Sequence, residues 1–292
     1  MISRRAVLAG AALAAIPAVP DRVLADVGGL EPRFAALEAK IGGRLGVTVI
    51  DTATGASTGR RGGERFAMCS TFKFLATAAV LAAVDKGGES LDRRVRIPKT
   101  SLVTWSPVTE KHADGPGGMS LRDICAAAMT TSDNTAANII LETLGGPDRL
   151  TAYIRTLGDE VSRADRYELD LNKVAPGNPR DTTTPLAMAR NLQKVVLGDA
   201  LSPASRQQMV DWLIANQTGD ARLRAGFPVG WRVGDKTGTN NDGATNDIAV
   251  AWPPSRAPII IAAYVHAPGI AGQEREAALK DVGSLVAQSI DS

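Results

Sequence analysis

Ser70 and Lys73 stand three residues apart in Met68-Cys69-Ser70-Thr71-Phe72-Lys73, directly before the apolar stretch 74–84. At the start of a helix that spacing puts both side chains on one face. A hydroxyl is a poor nucleophile until a neighbouring base takes its proton, and a lysine stripped of water can be that base. The helix N-terminus adds free backbone N–H groups and partial positive charge beside Ser70, which suit a developing oxyanion. The plain alternative is a serine cap followed by a solvated lysine. Two further stretches, each present once, argue against it: Ser132-Asp133-Asn134 and Lys236-Thr237-Gly238. A fourth, Glu168-Leu169-Asp170-Leu171-Asn172, lies in a polar segment ending in the breaker cluster Pro176-Gly177-Asn178-Pro179. A carboxylate and an amide together can hold a water and activate it against an ester.

The elements that must position these groups are legible from periodicity. Glu31 to Ile41 reads as an amphipathic helix with Phe34, Leu37 and Ile41 on one face. Arg44 to Asp51 alternates like a strand, and Thr54-Gly55 turns it back through Ser57 to Arg60. From Ser70 to Trp212 the pattern is mostly helical. Strands return over 231–237, 247–252 and 258–266, and a last helix runs from about Gln273 to Gln288. This order predicts an α/β fold in which residues 26–68 and 216–292 form one discontinuous lobe. Residues 69–215 form an all-helical lobe that includes the loop 163–181.

Composition narrows the function classes. A chain of 292 residues, 44% hydrophobic, can bury a sizeable core. Lys+Arg 33 against Asp+Glu 31 leaves a net charge of +2, too balanced for a nucleic-acid binder, and 4% aromatics offer little base-stacking surface. His112 and His266 are the only histidines, which argues against a Ser-His-Asp triad or a zinc-His site, so neither metal nor cofactor is expected. Residues 1–25 read as an export signal: Arg4-Arg5, an apolar Ala-rich run, then Val23-Leu24-Ala25 before Asp26. Ser3-Arg4-Arg5-Ala6-Val7-Leu8 looks like a twin-arginine signal, with a general secretory signal as the alternative. Either route makes the mature protein periplasmic or secreted, free of the membrane after cleavage.

The motif set, in this order and spacing, resembles that of the class A β-lactamases. The resemblance covers nearly the whole mature chain. It implies an antiparallel sheet flanked by helices, an all-helical lobe, and an active site between the two. It implies a monomer that hydrolyses small β-lactams, penicillins and cephalosporins, without a cofactor, and so confers antibiotic resistance. Ser70 would be the nucleophile, with the backbone N–H groups of Ser70 and Thr239 around the oxyanion. Lys73, or Glu168 through a water, would take the Ser70 proton, and that choice stays open. Ser132 would relay a proton to the lactam nitrogen, and Asn134 would hold the substrate side-chain amide. Lys236, Thr237, Gly238 and Thr239 would line the carboxylate end, with Lys236 also lowering the proton affinity of Lys73. Glu168 with Asn172 would deacylate, and Asn138 would orient Glu168.

The same resemblance makes Trp105 an aromatic gatepost at the pocket mouth and places Arg222, or its rival Arg224, toward the substrate carboxylate. Arg166 and Asp181 match the ion pair that closes the loop, and the Glu168–Leu169 bond is expected to be cis. Cys69 and Cys125 are expected to be unpaired, because Thr77 and Asn240 occupy the positions of the relatives' partner cysteines. Residues 239–247 look like the extended-spectrum branch. Glu110, Lys111 and His112 read as a solvated loop, and the Gly115-Pro116-Gly117-Gly118 segment has no assigned role. Two rivals share the motifs: a D,D-peptidase or penicillin-binding protein, which should lack Glu168 and Asn172, and a β-lactam sensor that acylates once.

Overall fold

The protein is described from a computed structural model over residues 29–290. The expected export signal, 1–25, lies outside the described residues.

A five-stranded antiparallel sheet forms the frame. Its strands are β1 (Arg44–Asp51), β2 (Ser57–Arg60), β7 (Arg232–Thr239), β8 (Ala244–Trp252) and β9 (Ile259–His266), in the order β2-β1-β9-β8-β7. Four two-residue pieces lie between β2 and β7 in the chain: β3 (Phe66–Ala67), β4 (Arg94–Val95), β5 (Met119–Ser120) and β6 (Thr182–Thr183). They pair as β3-β6 and β4-β5. The helices are α1 (Leu30–Ile41), α2 (Phe72–Asp85), α3 (Leu121–Thr130), α4 (Asn134–Leu144), α5 (Pro147–Thr156), α6 (Pro185–Val196), α7 (Pro203–Ile214) and α8 (Gly272–Ile290).

The sheet is covered on both faces. One face sends Ile248, Val250, Ile260 and Tyr264 into a core shared with α2, α3, α4, α6 and α7. The other sends Val47, Val49, Ile261 and Val265 against Phe34 of α1 and Leu279 and Val282 of α8. A strand buried on both sides needs apolar residues throughout, which is why β1 is buried from Leu45 to Asp51 instead of alternating as the sequence suggested. The helical stretch is not all-helical, since β6 and the β4-β5 ladder fall within 69–215. Two-residue ladders leave no periodicity to read. The Gly115–Gly118 segment closes the second of these ladders: Arg94 binds the carbonyls of Gly117 and Gly118. Gly118 has φ +55, and a Cβ there would stand 2.1 Å from the Val95 carbonyl oxygen.

Two helices position motif residues directly. α2 is buried at every position from Phe72 to Ala82, as a helix apolar on all sides must be. It therefore carries Lys73 into the interior, where a charge requires partners. α4 starts immediately after Ser132-Asp133, and the Asp133 side chain caps it by accepting the N–H of Ala136. Among the described residues, no helix is long and apolar enough to cross a membrane.

Candidate active site

The four sequence motifs converge on one open cleft of 680 Å³, whose lining includes Ser70, Trp105, Ser132, Asn134, Asn172, Arg222, Thr237, Gly238 and Thr239. Ser70 sits in a 3-10 turn, Cys69–Thr71, that runs into α2, and the turn starts from Cys69 at φ 46. The Ser70 side chain caps nothing, contrary to the plain alternative, and is free for other work. Edge strand β7 passes close over this turn. A Cβ on Gly238 would lie 2.9 Å from the Met68 carbonyl oxygen and 3.1 Å from the Ser70 nitrogen, so only glycine admits this approach. Thr71 is anchored beneath by its hydroxyl on the Met68 carbonyl at 2.7 Å.

Lys73 is fully buried and surrounded by acceptors. Its ammonium donates to the Ser132 carbonyl (2.8 Å), the Ser132 hydroxyl (3.3 Å) and Asn134 Oδ1 (2.6 Å). Glu168 Oε1 lies 3.2 Å away, close enough for an ion pair. Burial pulls the Lys73 pKa below its ordinary value, and the Glu168 and Asp133 carboxylates pull back less strongly. Burial is therefore the main cause of its lowered proton affinity.

Ser132 stands between two lysines. Lys236, also fully buried, donates to its hydroxyl at 3.1 Å and to the Thr237 carbonyl at 3.0 Å. Burial first, and the Lys73 charge second, hold the Lys236 pKa well below its usual value. Asp133, the middle residue of its motif, has no part in the expected chemistry but fastens the turn. Its carboxylate takes the backbone N–H groups of Val108 and Thr109 and the Thr109 hydroxyl. That fixes the segment carrying Trp105, whose carbonyl accepts from the Asn134 N–H and whose indole N–H reaches the Thr131 carbonyl at 3.0 Å. Trp105 is 62% exposed at the cleft mouth. Asn134 is held on both sides, by Lys73 at Oδ1 and by the Thr104 carbonyl at Nδ2.

The loop 163–181 brings Glu168 to this cluster. Arg166 Nε meets Asp181 Oδ2 at 2.6 Å, and Asp181 Oδ1 accepts the N–H groups of Asp165 and Arg166. The Glu168–Leu169 bond is cis. Asn138 bonds the Glu168 backbone at both its N–H and its carbonyl, so it places the residue and leaves the carboxylate free. Asn172 Nδ2 donates to Glu168 Oε2 at 2.6 Å. Asn172 Oδ1 is a buried acceptor with no hydrogen-bond partner among the described residues, whereas Glu168 Oε1 faces the Lys73 ammonium at 3.2 Å.

At the other end of β7 the two arginines separate. Arg224 turns inward to buried Asp235, whereas Arg222 lines the cleft. Arg222 reaches Thr239 Oγ1 (2.8 Å) and the carbonyls of Gly238 and Asn246, and pairs with Glu276 of α8 at 3.1 Å. Asn240 ties β7 to the loop through the Asn172 carbonyl at 2.9 Å. Cys69 and Cys125 are both buried and unpaired. Glu276, Asp235, Asn246 and Asp247 were missed in sequence, for a lone polar residue in a strand or helix announces no partner. Glu110, Lys111 and His112 are exposed and lie outside the cleft.

Comparisons with known proteins agree with this constellation. The family described as the beta-lactamase enzyme family matches residues 29–290. The chain is 51% identical over 253 residues to Beta-lactamase L2 of Stenotrophomonas maltophilia, covering 86% of this chain and 83% of the relative. It is 47% identical to Beta-lactamase CTX-M-8 of Citrobacter amalonaticus, covering 90% and 89%. Among solved structures, an ancestral class A β-lactamase superposes with a TM-score of 0.87 at 60% identity, over 89% of this chain and 99% of the other. With the motifs assembled in one cleft and relatives matched over most of their length, the chain belongs to the β-lactamase enzyme family and is a class A enzyme.

Proposed function

We propose that the enzyme hydrolyses penicillins and cephalosporins through an acyl-enzyme on Ser70. The carrying observation is the buried contact of Lys73 Nζ with Glu168 Oε1 at 3.2 Å, which supports two proton acceptors for the serine one turn before Lys73. Ser70 attacks the lactam carbonyl, and the N–H groups of Ser70 and Thr239 receive the oxyanion. Lys73, or Glu168 through a water, takes the Ser70 proton. Ser132, touched by both lysines, passes a proton to the departing nitrogen. Lys236, Thr237, Thr239 and Arg222 take the substrate carboxylate, Asn134 the side-chain amide, and Trp105 stacks on bulky substituents.

Deacylation falls to Glu168 and Asn172. The unpartnered Asn172 Oδ1 and the Glu168 carboxylate beside it suit the two donor hydrogens of a single water, and Glu168 can then take a proton from it. That pair favours a turning-over hydrolase over a D,D-peptidase or a sensor that acylates once. The cleft is lined from both lobes, 26–68 plus 216–292 and 69–215, and the resemblance to the family supports action as a monomer on small β-lactams. Residues 1–25 support export to the periplasm or medium, by the twin-arginine or the general secretory route. The 239–247 segment supports activity on oxyimino cephalosporins.

Steady turnover of a chromogenic cephalosporin by the purified protein tests the reading, with Ser70→Ala as control. Multiple turnovers are expected, with one penicillin adduct that Ser70→Ala abolishes. A single stoichiometric burst from the unaltered protein would instead identify a sensor.

A further inference from the structure

Asp247 is a fully buried carboxyl for which the chemistry above has no use. It lies on β8 directly opposite Thr237, and so projects from the same sheet face as Thr237 and Asp235 of β7. Its Oδ2 accepts the backbone N–H of Leu223 at 3.1 Å, and its Oδ1 is buried without a hydrogen-bond partner. Leu223 opens the short 3-10 turn Leu223–Gly226, and the residue before it is Arg222. The peptide joining Arg222 to Leu223 is thus tethered at its N–H to a strand that also offers the Asn246 carbonyl to the Arg222 guanidinium at 2.9 Å.

The surroundings say what kind of tether this is. Burial, and then the neighbouring Asp235 carboxylate, drive the Asp247 pKa well up, while Arg222 and Lys236 oppose this only in part. Tyr264 of β9 feels the same carboxyl. Asp235 already has Arg224 and Asn216 for partners, so Asp247 is left without an opposite charge of its own. The Leu223 N–H requires an oxygen acceptor here, and the Asp247 carboxyl supplies one through Oδ2. Without an acceptor, a buried N–H is left unpaired and the turn gains a reason to move.

We propose that Asp247 is a positioning residue for the carboxylate end of the cleft: by holding the Leu223 peptide, it fixes the turn that presents Arg222 beside Thr239. The inference rests on the reading of Arg222 as a contact of the substrate carboxylate.

Steady-state kinetics on folded variants test it. Asp247→Val removes the acceptor but suits a buried strand, and should raise KM for benzylpenicillin about 3- to 10-fold with kcat nearly unchanged. Asp247→Asn keeps an acceptor and should restore the parental KM. An arylboronic acid, which adds to the serine hydroxyl and lacks a carboxylate, should bind all of them equally. In the Arg222→Ala background, Asp247→Val should add little, because both changes remove the same contact. If Asp247→Val lowers Tm yet leaves KM unchanged while Arg222→Ala raises it, Asp247 is merely structural and the inference fails. If Arg222→Ala itself leaves KM unchanged, the carboxylate reading fails first. Equal KM increases in Asp247→Val and Asp247→Asn would overturn the account in which an oxygen acceptor holds the turn. Asp247→Ala provides the same comparison should the valine variant not fold.

Discussion

Lys73 Nζ and Glu168 Oε1 stand 3.2 Å apart with neither side chain exposed. One lies on the central helix and the other on a loop closed by Arg166 and Asp181, so the contact joins two elements that share no local sequence. In the proposed mechanism either group holds the Ser70 proton, and the contact between them lets it pass with little displacement. On that proposal the loop carrying Glu168 serves acylation as well as hydrolysis.

Lys236 touches the Ser132 hydroxyl, and in the proposed mechanism it also meets the substrate carboxylate. Its loss should therefore affect both binding and proton relay. Lys236→Ala should lower kcat/KM for penicillins by roughly 10- to 100-fold, the scale of a charge-assisted hydrogen bond, with part of the loss in kcat. An unchanged kcat/KM would remove Lys236 from the site.

Cys69 and Cys125 are enclosed, and burial pushes both thiols well above their ordinary pKa, so neither forms thiolate readily. A thiol reagent should find none reactive in the native enzyme and two in denatured, non-reduced protein. No thiols after denaturation, with a mass lower by two hydrogens, would show that the two had bridged.

Asp181 holds the loop by three bonds, one to the Arg166 guanidinium and two to backbone N–H groups. Asp181→Asn can keep the backbone bonds and tolerates the residue's φ of 55, so it isolates the charge. We expect a stability loss of about 2 kcal/mol in urea unfolding, because Arg166 is left unpaired. Penicillin turnover should fall more than turnover of bulky cephalosporins. Equal losses across substrates would argue that the pair does not serve the loop.

Acid should weaken the α1 side of the sheet through Glu38. Burial raises its pKa, but hydrogen bonds from Arg61 and Arg60 outweigh that and leave it below 4.5, the ordinary value. A carboxylate with a lowered folded pKa contributes stability that is complete above the unfolded value and is lost as pH falls through the folded one. Tm should thus hold down to about pH 4.5 and drop below it, and Glu38→Gln should flatten the drop. A Glu38→Gln curve parallel to that of the parent would contradict the assignment.

What could be read from sequence was what is local. Ser70 with Lys73, Ser132 with Asn134, and Glu168 with Asn172 each lie within a turn or so of one another, and their spacing carries meaning. The hairpin of β1 and β2 was visible for the same reason. Long-range partners were not visible. Nothing in the chain tells that Arg222 pairs with Glu276 while Arg224 goes to Asp235, because the choice depends on how α8 and β7 pack around the turn between them. Asn134 was expected to await substrate, yet its oxygen already accepts from Lys73. Asn138 was expected to orient Glu168, but that the grip falls on the backbone N–H and carbonyl was not legible.

The central claim is that Glu168 activates the water that frees Ser70. Glu168→Ala, mixed with a good penicillin and followed by intact mass, addresses it directly. Loss of a placed general base costs roughly 10²- to 10⁴-fold, so the ester should persist. About one product per enzyme is expected, with a stable mass of protein plus one penicillin. Steady multiple turnover by Glu168→Ala, with no accumulated adduct, would contradict it.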